Sequence, residues 1–276
     1  YNRPLARIIT VTSGKGGVGK SNTAINLAIQ FRKEGKRVII LDADFGLANI
    51  EIMFGAVPKH NLSDLIYQGK NMKEIITWGP MEVGFISGGS GIAGLSNLGR
   101  EHLNCIIKNL SELDTIADVV IIDTAAGIAD AVLEFLVASG EILLVTTPEP
   151  TSITDSYSLL KALSGHPRFS GQATQVKMIA NKVGSKEEGK MLYDKLNVVV
   201  SRYLQVPFSY LGAVPQDPEL SKAVMRQMPV SMQAPSSRAA QAYEELAAKL
   251  LNKEAEQSVV KRGMAAFFSH MISGKR

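Results

Sequence analysis

The sequence predicts an α/β fold, a doubly wound and mostly parallel sheet flanked by helices, and three observations carry that prediction. Short β-branched runs alternate with periodic helical segments along most of the chain. Several of those runs are apolar almost throughout, as strands covered on both faces are. With 276 residues, 45% of them apolar and 20% charged, the chain is long enough to bury one sizeable core.

Taken in order, RIITVTS is the first strand and SGKGGVGKSN the turn that follows it. SNTAINLAIQFRKEG then reads as a helix that stops at Gly35. RVIILDAD is a strand ending in Asp42 and Asp44; VGFISGG is another; DVVIIDTA ends in Asp123. EILLVTTP, QVKMIANKV and VPFSYLGAVP complete the set, and SSRAAQAYEELAAKLLNKEAEQ is a strong helix former that should pack on the body. No internal repeat interrupts this order.

Composition excludes several classes. No apolar run approaches the roughly 18 residues a spanning helix needs, and no charged segment with an apolar stretch opens the chain. The single cysteine, Cys105, allows no internal disulfide and no multi-thiolate cage, and its place in EHLNCIIKNL suits a packed thiol on an amphipathic helix. The net charge of +4 belongs to the tail: apart from Lys261, Arg262, Lys275 and Arg276, 26 basic residues face 26 acidic ones.

Gly14 to Ser21 fits G-x-x-x-x-G-K-S between a strand and a helix. Such glycines let backbone N–H groups converge on phosphate oxygens, Lys20 neutralises the β/γ charge, and the Ser21 hydroxyl can ligate Mg2+. Asp42, Asp44 and Asp123 stand at strand C-termini, where α/β sheets present ligand-binding groups, and Asp123 fits the metal-holding carboxylate of such sites. IANKVG is similar to the guanine-reading N-K-x-D, but Gly184 stands where its carboxylate would be, which argues for adenine. Lys15 has no role in a generic phosphate loop; it is either solvated or aimed at another subunit.

KGGVGKS resembles the deviant Walker A loop of the MinD/ParA ATPases, and the resemblance covers roughly Ile8 to Leu251. It implies a slow, Mg2+-dependent, dimer-activated ATP hydrolase. Gly14, Lys15, Gly16, Gly17, Val18, Gly19, Lys20, Ser21 and Asn22 would hold ATP, with Lys15 reaching across an ATP-bound homodimer to the partner's phosphates. Lys15, Lys20 and Asp44 would be catalytic, Asp44 orienting the attacking water; Ser21, Asp42 and Asp123 would serve Mg2+. Asn181 would contact the adenine, and Val214, Pro215 and Asp217 would border it. Within the family, DADFGLANI and SGGSGIAGLSNL resemble the FlhG branch, regulators of flagellar number and placement. Ala125 and the helix start KSN depart from that branch without removing a ligand. Branch members are expected to carry an N-terminal extension that stimulates the GTPase FlhF; this sequence starts at Tyr1, without methionine, and shows no such extension.

Two domains are expected, an ATPase domain over 1–257 and a targeting tail over 258–276. In the tail, Val260, Met264, Phe267, Phe268, Met271 and Ile272 fall at helical spacing with basic residues on other faces. Such a helix can lie on an anionic membrane, each basic residue contributing about 1 kcal/mol, or it can cover a groove on its own body. The segment TTPEPTSITDSYSLL around Asp155 is either a partner-docking surface or a capped helix start. The whole implies a reversibly peripheral protein on the inner face of the bacterial membrane, with anionic lipids, FlhF and flagellar basal-body proteins as partners. The alternatives are MinD-like division-site selection and ParA-like partition of DNA; DNA is not expected, because the body has no net basic charge.

Overall fold

β-branched runs become strands here because helices cover them on both faces. The computed structural model describes residues 4–44, 49–88 and 98–273. Its eight strands are β1 (Arg7–Thr12), β2 (Val38–Ala43), β3 (Thr77–Trp78), β4 (Gly84–Ser87), β5 (Val119–Thr124), β6 (Glu141–Thr146), β7 (Gln175–Val183) and β8 (Phe208–Pro215). They form one sheet in the order β3-β4-β2-β5-β1-β6-β7-β8. All neighbours are parallel except β3 and β4. The sequence runs predicted every strand but β3, whose two residues at the sheet edge are too few to show a period.

Among the described residues, the helices of eight residues or more are α1 (Lys20–Lys33), α2 (Arg100–Ser111), α3 (Asp130–Ala138), α4 (Pro150–Ser164), α5 (Lys186–Tyr203), α6 (Pro218–Met225), α7 (Arg238–Leu251) and α8 (Gly263–Ile272). Alternation along the strands divides the core. Ile9, Val11, Ile40 and Ile121 face α1 and α7, whereas Ile8, Ile39, Val120 and Ile122 face α2 and α8. A third cluster joins α3, α4 and α5 to Ile142, Leu144 and Met178 of β6 and β7.

The tail helix is built into the second cluster. Met264, Phe267, Phe268 and Met271 are buried, and Phe135 of α3 lies 6.2 and 6.5 Å from the rings of Phe267 and Phe268. Burying each such side chain is worth about 1.5–3 kcal/mol, so the dock is a strong one. Asp114 accepts the Met264 N–H at 3.1 Å and the Ala6 N–H at 3.2 Å, and Arg168 donates to the His270 carbonyl at 2.8 Å. Of the stripe read as membrane-facing or groove-covering, Val260 alone is exposed, at 76%; Ile272 is half-buried. Of the stretches read as branch-specific, residues 45–48 of DADFGLANI and 89–97 of SGGSGIAGLSNL lie outside the described residues, as do Lys275 and Arg276.

Candidate functional site

β1 runs at the middle of the sheet between β5 and β6, the position from which the chain turns to either side. Ligands bind at the strand C-termini of such a switch point. Ser13 to Gly19 make the loop that leaves β1 there, and α1 begins at Lys20 with no side-chain cap, so its first N–H groups are open to an anion. Gly14 is required by a close approach: a Cβ there would stand 2.3 Å from the Asp155 carbonyl oxygen of α4. No side chain caps the first N–H groups of α4; Ser152 Oγ accepts the Thr147 N–H of the preceding turn at 3.0 Å, and the same segment is also the wall of the loop.

Two neighbours, Lys20 and Ser21, meet the distant Asp123 beneath the loop. Lys20 Nζ lies 2.5 Å from Asp123 Oδ1, and Ser21 Oγ donates to Asp123 Oδ2 at 2.8 Å. All three are buried. Burial pushes the Asp123 carboxyl up, against the pull of Lys20. Asp42 is the register partner of Asp123 across β2 and β5, and burial first, then the charges of Asp123 and Asp44, raise it to about 7. The Asp44 N–H opposes this shift, donating to Asp42 Oδ1 at 3.0 Å. The turn after β5 is tied to the loop as well: the Gly127 N–H donates to the Ser13 carbonyl at 2.9 Å.

On the other flank, Asn181 is fully buried, with Nδ2 donating to the Val18 carbonyl at 2.7 Å and Oδ1 without a partner among the described residues. An unpartnered amide oxygen at this depth costs free energy until a ligand donor meets it. Val214, its register partner on β8, is buried beside it, and Pro215 follows. Asp217 is also engaged in the fold. Its two carboxylate oxygens accept the N–H groups of Glu219 and Ala239, both at 2.9 Å, capping α6 and fixing the start of α7. Asn22 sits in the first turn of α1, its carbonyl accepting Asn26 Nδ2.

Lys15 points away from its own loop. Its amine donates to Glu149 Oε2 at 2.9 Å and Thr151 Oγ1 at 2.7 Å, and its side chain is 35% exposed. Lys15 holds the Glu149 carboxyl below its usual range. Sequence reasoning singled out Lys15 and the stretch TTPEPTSITDSYSLL that holds both partners, but not their pairing. It missed Lys182 as well, whose amine donates to the Gly17 carbonyl at 2.8 Å. Each departs from the motif, and only folding brings it to the loop.

The donor set fits a Mg2+-bound nucleoside triphosphate: a helix N-terminus and a buried lysine for phosphate, a hydroxyl beside a buried carboxylate for a hard cation, and an open amide oxygen for a base. Among the described residues no group of three or more His, Cys, Asp or Glu gathers.

The family model described as ParA, NUBPL iron-transfer P-loop NTPase, matches residues 5–251. The antiactivator FleN of Pseudomonas aeruginosa is 39% identical over 244 residues, covering 88% of this chain and 86% of that protein. The flagellum site-determining protein YlxH of Helicobacter pylori is 32% identical over 275 residues, 98% of this chain and 91% of that one. The solved structure of the septum site-determining protein MinD with Mg-ADP from Pyrococcus horikoshii shares the fold, with a TM-score of 0.69 at 23% identity over 92% of this chain and 99% of that one. Iron carriage asks for thiolates, and the one cysteine lies half-buried on α2, against the Leu65 carbonyl. The loop, its buried lysine and carboxylate, and these likenesses agree: the chain belongs to the ParA/MinD family of P-loop NTPases, ATP-hydrolysing enzymes that use Mg2+, and within it is FlhG-like.

Proposed function

We propose that this protein is a nucleotide-driven switch that closes into a homodimer with ATP, binds the membrane in that state and sets flagellar number or placement. The observation that carries the reading is the position of Lys15. Its amine stands outside its own phosphate loop on two exchangeable partners, Glu149 and Thr151. A second copy's phosphates can replace both, because an exposed ion pair contributes little to hold it. Lys15 would then bring to the other subunit the positive charge that an arginine finger brings elsewhere.

Within one subunit, Lys20 neutralises phosphate charge, and Ser21 with Asp123 holds the metal, Asp42 standing behind them. Bound Mg2+ supplies charge neutralisation at the phosphates. Asp44, at the end of β2, orients the attacking water, and Asn181 reads the base with Val214 and Pro215 beside it. The buried Lys20–Asp123 and Ser21–Asp123 contacts support this division of roles.

The tail reports the state. Its stripe is buried against α2 and α3, so membrane binding requires α8 to leave its groove. One short helix attaches weakly, whereas two in a dimer attach firmly by effective concentration. The flagellar role rests on the likeness to FleN and YlxH, and FlhF and basal-body proteins are the partners it suggests.

The test is sedimentation with anionic liposomes in ATP and in ADP, for the full chain, for a chain ending at Gln257 and for Lys15→Ala. Pelleting that needs ATP and is lost in both variants supports the switch. Equal pelleting in the two nucleotides, or none in either, would sink it.

A further inference from the structure

Three side chains tie down the carbonyls of the phosphate loop. Ser13 Oγ donates to the Lys15 carbonyl at 2.9 Å, Lys182 Nζ to that of Gly17 at 2.8 Å, and Asn181 Nδ2 to that of Val18 at 2.7 Å. Two of the three come from consecutive residues of β7. In a regular strand, neighbours point to opposite faces, so Asn181 and Lys182 could not both reach one loop. Here they do, because the β7–β8 register shifts between Asn181 and Val183, and Lys182 takes a left-handed φ of 56°. A bulge of this kind re-aims a side chain, and lysine rarely adopts that backbone conformation. Such strain collects where the surrounding structure imposes it for a purpose.

The purpose follows from peptide geometry. Across a trans peptide the C=O of one residue and the N–H of the next point in opposite directions, and no described peptide is cis. Holding the Gly17 and Val18 carbonyls toward β7 therefore turns the N–H groups of Val18 and Gly19 away from it. Those are the donors a phosphate needs.

We infer that Lys182 is a positioning residue for phosphate binding, its amine fixing the Gly17–Val18 peptide so that the Val18 N–H faces the ligand. The inference rests on reading the loop as a phosphate site. Lys182 itself touches no phosphate; it acts through the loop backbone, in its own subunit.

ADP, which does not ask for a closed dimer, is the probe. Fluorescent-ADP titration of the full chain is compared with Lys182→Asn, since asparagine tolerates the left-handed backbone but lacks the reach, and with Lys182→Arg. The expected result is a loss of roughly five- to tenfold in ADP affinity for the Asn variant, the size of one charge-assisted hydrogen bond weakened by solvent, with the nucleotide-free melting temperature unchanged and most of the affinity restored by arginine. An Asn variant that binds ADP as tightly as the native chain overturns the inference. So does intact ADP binding with loss of ATP-dependent dimerisation alone, which would place the amine in the other subunit's site. A native chain that binds no ADP would instead sink the phosphate-loop reading, and this inference with it.

Discussion

At the strand C-termini the phosphate loop is held by directed polar bonds from Ser13, Asn181 and Lys182, whereas α8 is held by the burial of Met264, Phe267, Phe268 and Met271. The first kind of contact fixes an orientation and is lost when one atom is missing. The second is proportional to area and indifferent to what covers it. A groove lined by Leu110, Phe135 and Ile106 and a lipid headgroup layer are comparable destinations for the same stripe. The molecule thus pairs a site that must be built in one way with a helix that, in the proposed switch, would change its partner. A switch needs both.

The comparison breaks first at Lys20. Lys20→Ala removes the cation that faces Asp123 in a buried site and should cut turnover by about 10²–10³-fold, measured as phosphate release. If the loop tolerated the loss, its contacts would be no more directional than those of the tail. For α8 the equivalent change is Phe267→Ala, which removes a fully buried ring and should cost about 3 kcal/mol or more. If α8 leaves its groove as the proposed switch requires, the loss should appear as faster hydrogen exchange over 263–272, with a smaller fall in melting temperature. Equal effects on both would mean that the tail is fixed core.

What the sequence made legible follows the same division. Lys20, Ser21 and Asp123 were readable because phosphate chemistry dictates residue types at fixed spacing, and the strand-end rule placed Asp42 and Asp44. Lys182 was not readable, since its role depends on a bulge that no local pattern announces. Asp217 reads in the sequence as a neighbour of the base; in the fold its carboxylate caps α6 and anchors Ala239, a role that the same residue type serves equally well. The helix of the tail was legible from its period, whereas its groove was not, because α2, α3 and Asp114 come together only in the fold. The seven longer strands were all visible as apolar runs, and β3 was too short to be.

Gly263 sharpens the account of the dock. It has a φ of 73°, and a Cβ there would meet Asp114 Oδ2 at 2.7 Å and Leu5 Cδ2 at 2.8 Å. Gly263→Ala should weaken docking by about 1–3 kcal/mol, from backbone strain and lost capping of the Met264 N–H. Exchange over 263–272 measures it, and Gly35→Ala, with φ of 84° and open space around it, is the control for strain alone.

Asp42 gives a pH-dependent effect with a sign. Burial raises it from 3.8 to about 7, so the folded nucleotide-free protein binds this proton more tightly than the unfolded chain. Its contribution to stability is present below its ordinary 3.8 and is lost as the pH rises through about 7. Asp42→Asn keeps the acceptor for the Asp44 N–H and removes the charge. The variant should melt above the native protein at pH above 7, and the two curves should meet at acid pH; a constant offset would assign the difference to packing.

The smallest effect on the folded monomer belongs to the pair that carries the proposed function. Lys15 and Glu149 are exposed partners, their side chains 35% and 62% accessible, and screening leaves such a pair little hold on the fold. Lys15→Ala and Glu149→Ala should each leave the monomer's melting temperature and ADP affinity unchanged. Their effects on ATP-dependent dimerisation, read by sedimentation, should be opposite. Lys15→Ala removes the group that crosses to the partner and should abolish the dimer. Glu149→Ala removes its resting place and should lower the ATP concentration at which the dimer forms, more so at low salt, where the resting pair is strongest. If both variants lost the dimer alike, Glu149 would be part of the closed interface, and the ion pair would be a piece of the site and not the hold that ATP must overcome.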